Sequence, residues 1–427
     1  MTCPSVESFA DAPDELALDE VQAFVGGVDD EDVLVAAYGP IEVYGFHALE
    51  ALQVMAERRK GGESGVKAVT CLVGPEIWKA GDAGKWSWGG QMWRTVSVGS
   101  GSGSITVART ALGRKCQESA TCTLTPDGRV VIYMGDDTRF EYIYKFVSRD
   151  AVRPGGSAAN RDLLDHGTLH VARFDEGGRG EWIALQAGRH GLTPQRGFAD
   201  QASVLINARG AADVVGATRM DRPEWIAVHP VTGEVFVTLT NNSQRGEPGR
   251  PGPDAANPRA RNLFGHIIRW REDGNDAAAS RFQWDFFALA GDPTVPGSET
   301  RYPTADADLF GSPDGLHFDS GGLLWIQTDM SGQLMHKGDM ARLGNNQMLC
   351  ADVSTGRIKR FMTGPRGCEI TGCVVTPDRR TLFVNIQHPG ETRDEGGAEG
   401  HWPDGGTTRP RSATAVVRRR DGGMVGT

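Results

Sequence analysis

No apolar run in this sequence reaches the roughly 20 residues that a membrane-spanning helix needs. The opening residues, MTCPSVESFADAPDELALDE, hold neither a basic stretch nor an apolar one, so no export signal is expected there. Positive charge is scarce: 45 Lys and Arg stand against 55 Asp and Glu, a net charge of −10. That balance argues against a nucleic-acid partner and for cationic ligands, metal ions included. The seven cysteines (Cys3, Cys71, Cys116, Cys122, Cys350, Cys368, Cys373) are odd in number and show no CxxC spacing. Neither a zinc ribbon nor a disulfide framework is indicated, and most of them read as buried thiols. Missing too are HExxH, GxSxG, a phosphate loop ending in Gly-Lys-Ser/Thr and a Ser-His-Asp order.

What the chain does have is glycine, 57 residues, and a repeated pattern. Four times an acid opens a short apolar run, which crosses a turn and returns to end in Asp or Asn. The copies run from Glu118 (ESATCTLTPDGRVVIYMGDD), Glu224 (EWIAVHPVTGEVFVTLTNN), Asp314 (DGLHFDSGGLLWIQTD) and Glu369 (EITGCVVTPDRRTLFVNIQ). Each has the length of one hairpin, with Asp-Gly or Thr-Gly chemistry at two of the turns. A hairpin repeated with its acid in one place predicts an all-β chain, a β-propeller, in which equivalent residues converge on a central channel. Acids gathered at one axis repel unless cations hold them, so the repeat predicts metal chemistry with the fold. We expect six blades, the extra ones drawn from residues 140–175 and 265–290. The segment 196–225 reads as inserted helices and 243–260 as a long loop. The strand SATAVVRRR near the C-terminus is expected to close the ring against an earlier blade.

Residues 1–107 form the other expected part, irregular except for one amphipathic helix over 41–60, with the propeller spanning 108–427.

The densest local cluster is Asp221-Arg222-Pro223-Glu224. Arg222 and Glu224 share a face in a strand, and an arginine beside a metal-binding carboxylate suits a phosphate-bearing substrate. An isolated Arg-x-Glu is more often an ion pair. Asp136 and Asp137 end the first hairpin with adjacent carboxylates, and such oxygen donors favour calcium, magnesium or manganese over zinc. Asp314 and Glu369 would add ligands from other blades. Cys116, two residues before Glu118, is a candidate thiolate ligand for a transition metal. The closing residues Asn241, Asn242, Asp329, Asn385, Gln387 and His388 are weaker candidates.

Over about residues 108–427 the chain resembles the PhoX-type alkaline phosphatases. The segments that carry the resemblance include PDGRVVIYMGDDTRFEYIYKFVS, DRPEWIAVHPVTGEVFVTLTNNS, SPDGLHFDSGGLLWIQTD, LGNNQML and GPRGCEITGCVVTPDRRTLFVNIQHPGE, in order. The resemblance implies a six-bladed propeller holding calcium and iron and hydrolysing phosphate monoesters. By position, Glu118 and Glu224 look like metal-bridging carboxylates, Asp137 and Asp314 like calcium ligands, and Arg222 like the substrate-phosphate arginine. It also implies a periplasmic or extracellular location. The family's upstream Asn-Cys-x-Gly-Gly segment and early Asn/His-Glu pair have no match in residues 1–107, and Gln117 stands where a histidine usually precedes the glutamate. These departures bear on iron more than on calcium.

The expected function is therefore a metal-dependent phosphomonoesterase acting on small phosphorylated substrates, with Arg222 and Glu224 catalytic, and a monomer. The alternative is a catalytically impaired, calcium-binding propeller acting in binding or structure.

Overall fold

The computed structural model describes residues 110–391 and 400–426, together with five strands between residues 21 and 107. The chain divides into two compact units, residues 7–109 and a larger unit of 110–427 with 1–6. In the smaller unit, β1 (Val21–Val28), β2 (Glu31–Tyr38), β3 (Ala68–Val73), β4 (Val96–Ser100) and β5 (Gly103–Val107) form one antiparallel sheet in the order β3-β1-β2-β4-β5. The helix expected over 41–60 lies outside the described residues.

The larger unit is a β-propeller, and its described residues form four blades, one on each repeated hairpin. The first comprises β6 (Gln117–Leu124), β7 (Arg129–Asp136), β8 (Ile143–Ala151) and β9 (Gly167–Phe174), extended by β10 (Arg179–Ala184). The second is β11 (Pro223–Val228), β12 (Val235–Leu239), β13 (His266–Glu272) and β14 (Arg281–Leu289). Because β10 pairs with both β9 and β14, these two blades merge into one nine-stranded sheet. The third is β15 (Pro313–Phe318), β16 (Leu323–Thr328), β17 (Gln347–Asp352) and β18 (Arg357–Thr363). The fourth is β19 (Glu369–Val375), β20 (Thr381–Gln387) and β21 (Ala413–Arg418).

Two expectations about the strands are corrected. Residues 140–175 and 265–290 supply outer strands of the first two blades and not blades of their own. Period-two patterning is common to inner and outer strands, so it cannot tell them apart. The C-terminal strand pairs with β20 of its own blade, not with an earlier one.

Blades pack face to face through apolar layers. Tyr133, Trp182, Ile226, Val237, Trp270 and Phe282 fill the layer between the first and second blades. Phe236, Ile267, Leu324 and Leu349 fill the next, and Trp325, Met348, Ile370 and Leu382 the last. Sheets covered on both faces explain why β7, RVVIYMGD, is buried almost throughout instead of alternating. Of the described cysteines only Cys368 and Cys373 are buried. Cys350 is half-buried against the last layer, Cys116 is half-buried and Cys122 is exposed, so the expectation of buried thiols is corrected for these three.

The insertion after β10 forms α1 (Gln201–Ile206) and α2 (Ala208–Val215). Asp200 caps α1 through Ser203 N–H at 2.7 Å, and Gly216, at φ 72°, stops α2. The apolar side of α2, Ala208, Ala211, Ala212 and Val215, packs on Tyr144, Leu169 and Val171 of the first blade.

Candidate metal centre

The four opening acids lie on the first strands of successive blades, β6, β11, β15 and β19, and neighbouring first strands run side by side. Each of these strands breaks register with its partner at or just after the acid. The breaks fall between Glu118 and Thr121, Pro223 and Ile226, Pro313 and Leu316, and Thr371 and Val374. A bulge re-aims the side chain next to it, which in a propeller turns an acid from the sheet face toward the axis. Three blades share a second device. Two residues before the acid, Arg222, Ser312 and Gly367 take positive φ of 62°, 51° and 72°.

Hydroxyl groups tie neighbouring blades together beside the acids. Thr121 Oγ1 donates to Ile226 O. Thr238 Oγ1 donates to Asp314 O at 2.7 Å and Thr240 Oγ1 to Pro313 O at 2.9 Å. Gly135, opposite Glu118 in β7, sits directly on the second blade: a Cβ there would stand 2.3 Å from Glu224 O. Only glycine allows that approach.

The result is a compact carboxylate group. Ligand oxygens of Glu118, Asp137 and Glu224 all lie within 4.8 Å of one another. Arg222 spans two of them, donating from Nε to Asp137 Oδ1 at 2.7 Å and pairing through Nη2 with Glu224 Oε1 at 2.9 Å. The ion pair weighed against a binding role is thus present, inside the carboxylate group itself. Burial and the charges of Asp137, Asp314 and Glu118 push the Glu224 carboxyl well up, against the pull of Arg222. Burial does the same to Asp314, reinforced by Glu369, Asp329 and Glu118. Asp329, at the end of the third hairpin, is raised to about 6 by burial and Glu369, with Arg222 and His388 opposing. Burial would lower His388, but Glu369, Glu391 and Asp329 lift it to about 9. Its Nε2 lies 3.4 Å from Glu369 Oε2.

Acids held this close without cations disfavour their own ionisation, which is the electrostatic signature of a cation site. Asp314 Oδ1 is buried with no hydrogen-bond donor, and the amide of Gln327, packed against Gly315, has both polar atoms buried and unpartnered. The donors are carboxylate oxygens, suited to a hard cation. The residues present fit such an ion.

The remaining candidates divide. Glu369 and Asp314 feel each other's charge, so the acids of the third and fourth blades adjoin. Asp136 turns to the helical insertion: it is fully buried and accepts from Arg209 of α2 at 2.5 and 2.8 Å and from Cys116 N–H at 3.1 Å. Cys116 also holds Asp137 in place, accepting its N–H at 2.8 Å. Asn385 accepts from Thr414 at 2.7 Å within its blade. Arg139, which sequence reasoning passed over, stands at the junction of the first two blades, bridged to Asp221. A basic residue two positions after Asp137 was the available signal.

With this geometry in place, known proteins offer a comparison. The family described as Alkaline phosphatase PhoX matches residues 100–390. Among solved structures, Pseudomonas fluorescens PhoX in complex with vanadate, a transition state analogue, shares 51% identity at a TM-score of 0.70. The match covers 78% of this chain and 58% of that protein, so the chain spans little more than half of its length. A GH43 beta-xylosidase/alpha-arabinofuranosidase from a compost microbial metagenome matches at 9% identity and a TM-score of 0.33, covering 95% of this chain and 94% of that one. A putative 6-phosphogluconolactonase from Bacteroides fragilis matches at 12% and 0.27, covering 87% and 89%. The curated proteins contain no match.

Proposed function

The chain belongs to the PhoX alkaline phosphatase family, and from that premise we propose that it hydrolyses phosphate monoesters at a metal centre held by Glu118, Asp137, Glu224 and Asp314. One observation carries the reading: Arg222, hydrogen-bonded to Asp137 and ion-paired with Glu224, places a guanidinium fork inside a carboxylate group that suits a cation. A phosphoryl group needs both kinds of partner, cations and a bidentate donor, around its oxygens. Bound hard cations would supply Lewis-acid stabilisation of the charge on the phosphoryl oxygens.

The chain's own residues do the rest. Arg222 binds and orients the phosphoryl group, released from its carboxylate partners when cations balance their charge. Glu224 and Asp314, each pushed toward protonation, hold a proton between them until cations are bound. Asp329 and Glu369 keep His388 charged on the fourth-blade side. Calcium is the cation this oxygen set fits. Iron, which the family resemblance implies, finds no thiolate or imidazole in the three-carboxylate group among the described residues. Vanadate, seen in the Pseudomonas relative, is expected to inhibit this chain as well.

The test is hydrolysis of a chromogenic phosphate ester by chelator-treated protein, with calcium and iron added back singly and together. Turnover that returns with calcium supports the reading. No turnover with both supplied would overturn it and leave a calcium-binding propeller.

A further inference from the structure

We propose that Arg139 is a second phosphoryl-binding arginine, paired with Arg222 across the junction of the first two blades; this rests on the reading of Arg222 as the phosphate ligand. Arg139 lies in the turn that leaves β7, two residues beyond Asp137. That turn is docked on the residues just ahead of Arg222. Phe140 N–H donates to Met220 O at 2.8 Å, Met220 N–H donates to Glu141 O at 2.9 Å, and Arg139 and Asp221 form an antiparallel bridge. Arg139 is therefore backbone partner to the residue immediately before Arg222. Both sides of the junction are anchored. Phe140 is buried with the Arg245 guanidinium 5.3 Å from its ring centre, and Asp221 is bonded to the same guanidinium.

The electrostatics of this position are unusual for the region. Arg209, Arg222 and Arg245 each bond a carboxylate. Arg139, half-buried, makes no hydrogen bond or ion pair among the described residues. Asp137, its near neighbour in sequence, is committed to Arg222. An unpaired guanidinium on the turn docked beside Arg222, whose own partners are the carboxylates of Asp137 and Glu224, suits an incoming oxyanion once cations take up those carboxylates. A tetrahedral phosphoryl group fits, since it can give one oxygen to each arginine and leave others for cations. The same pair would hold inorganic phosphate, the product.

The experiment measures inorganic phosphate binding to the calcium-loaded full chain by calorimetry, beside kinetics on a chromogenic phosphate ester, for the parent, Arg139→Ala and Arg139→Lys. Loss of a charge-assisted contact predicts Kd for phosphate and KM raised about 10-fold or more in Arg139→Ala, with kcat changed less. Lys at 139 should recover part of the affinity, because the charge returns without the fork. Thermal melts matching the parent's would confirm that Arg139→Ala folds, and Arg139→Lys serves if it does not. Unchanged phosphate affinity in Arg139→Ala would overturn the inference while leaving Arg222's role intact. A parent that binds phosphate but does not hydrolyse esters, with binding weakened in Arg139→Ala, would uphold the inference and overturn the proposed function. A parent that binds no phosphate would sink both.

Discussion

Asp221 and Arg245 form an ion pair of 2.5 Å in which neither side chain is exposed, one residue ahead of Arg222. Arg245 belongs to the long loop after β12, and its guanidinium also donates to Arg219 O at 2.6 Å and Gly252 O at 2.8 Å. Asn262 Nδ2 completes the set with a 3.0 Å bond to Asp221 Oδ2. The loop is thus clamped from inside, and the clamp fixes the backbone on which Arg222 takes its left-handed conformation.

Removing one partner leaves the other charge buried and uncompensated. Asp221→Ala is expected to cost about 3–5 kcal/mol in urea unfolding. The double change Asp221→Leu with Arg245→Met should cost clearly less than the sum of the single changes, because neither charge is then stranded. Additive losses would mean that the pair does not act as a unit.

Gly135 tests the blade junction. Its missing Cβ leaves the space that Glu224 O and Pro223 O occupy, at 2.3 and 2.6 Å from where that Cβ would be. Gly135→Ala should push the second blade's first strand away, costing about 1–3 kcal/mol and weakening calcium binding with it. Unaltered calcium affinity in a folded Gly135→Ala protein would separate the packing from the site.

Calcium should raise the melting temperature in a concentration-dependent way, since it binds the folded arrangement and not the unfolded chain. The pH dependence has a defined sign. Asp329 takes up its proton more readily folded, at about 6, than unfolded, near the ordinary 3.8. The cation-free protein therefore loses stability as pH climbs from about 4 through about 6, where the buried carboxyl must ionise. Calcium binding should strengthen across the same rise and release protons. Titration calorimetry in buffers of different ionisation enthalpy would reveal that release.

Arg222→Ala should lower phosphate-ester turnover by roughly 10²–10³, the usual loss for one desolvated electrostatic contact made to the transition state. Arg222→Lys should rescue poorly, lacking the planar fork. Full activity in the alanine variant would remove Arg222 from the mechanism.

Glu141 offers a control outside the carboxylate group. Burial first, with Asp136 and Asp213 adding, raises its carboxyl to about 7 against the pull of Arg209, and its Oε2 is buried with no hydrogen-bond donor. Its ionised form destabilises the fold above that pH, so Glu141→Gln should raise stability at pH 8 by on the order of 1–3 kcal/mol. The gain should fade as pH falls toward 4.5, where folded and unfolded chains are both protonated. A gain independent of pH would point to packing instead.

Much of the site was legible from the repeat. An acid at one register position in four hairpins places Glu118, Glu224, Asp314 and Glu369 on equivalent strands, because strand periodicity and turn chemistry are local. What the repeat could not supply is which neighbouring carboxylate joins them. Asp136 and Asp137 are alike in sequence. The peptide between them sends Asp136 to Arg209 on an inserted helix and Asp137 to Arg222 on the next blade. Arg139 offered only its place two residues after Asp137 as a signal, since its meaning comes from Asp221, far along the chain.

The sequence by itself determined the hairpins, their turns and the acids that open them, since backbone preference and side-chain alternation act over a few residues. The pairing of the blades, the clamp of Asp221 by Arg245 and the meeting of Glu118, Asp137 and Glu224 were decided only in the tertiary structure. Those contacts join residues far apart in sequence, which no local pattern brings together. Their energies depend on burial, which exists only once the blades have packed.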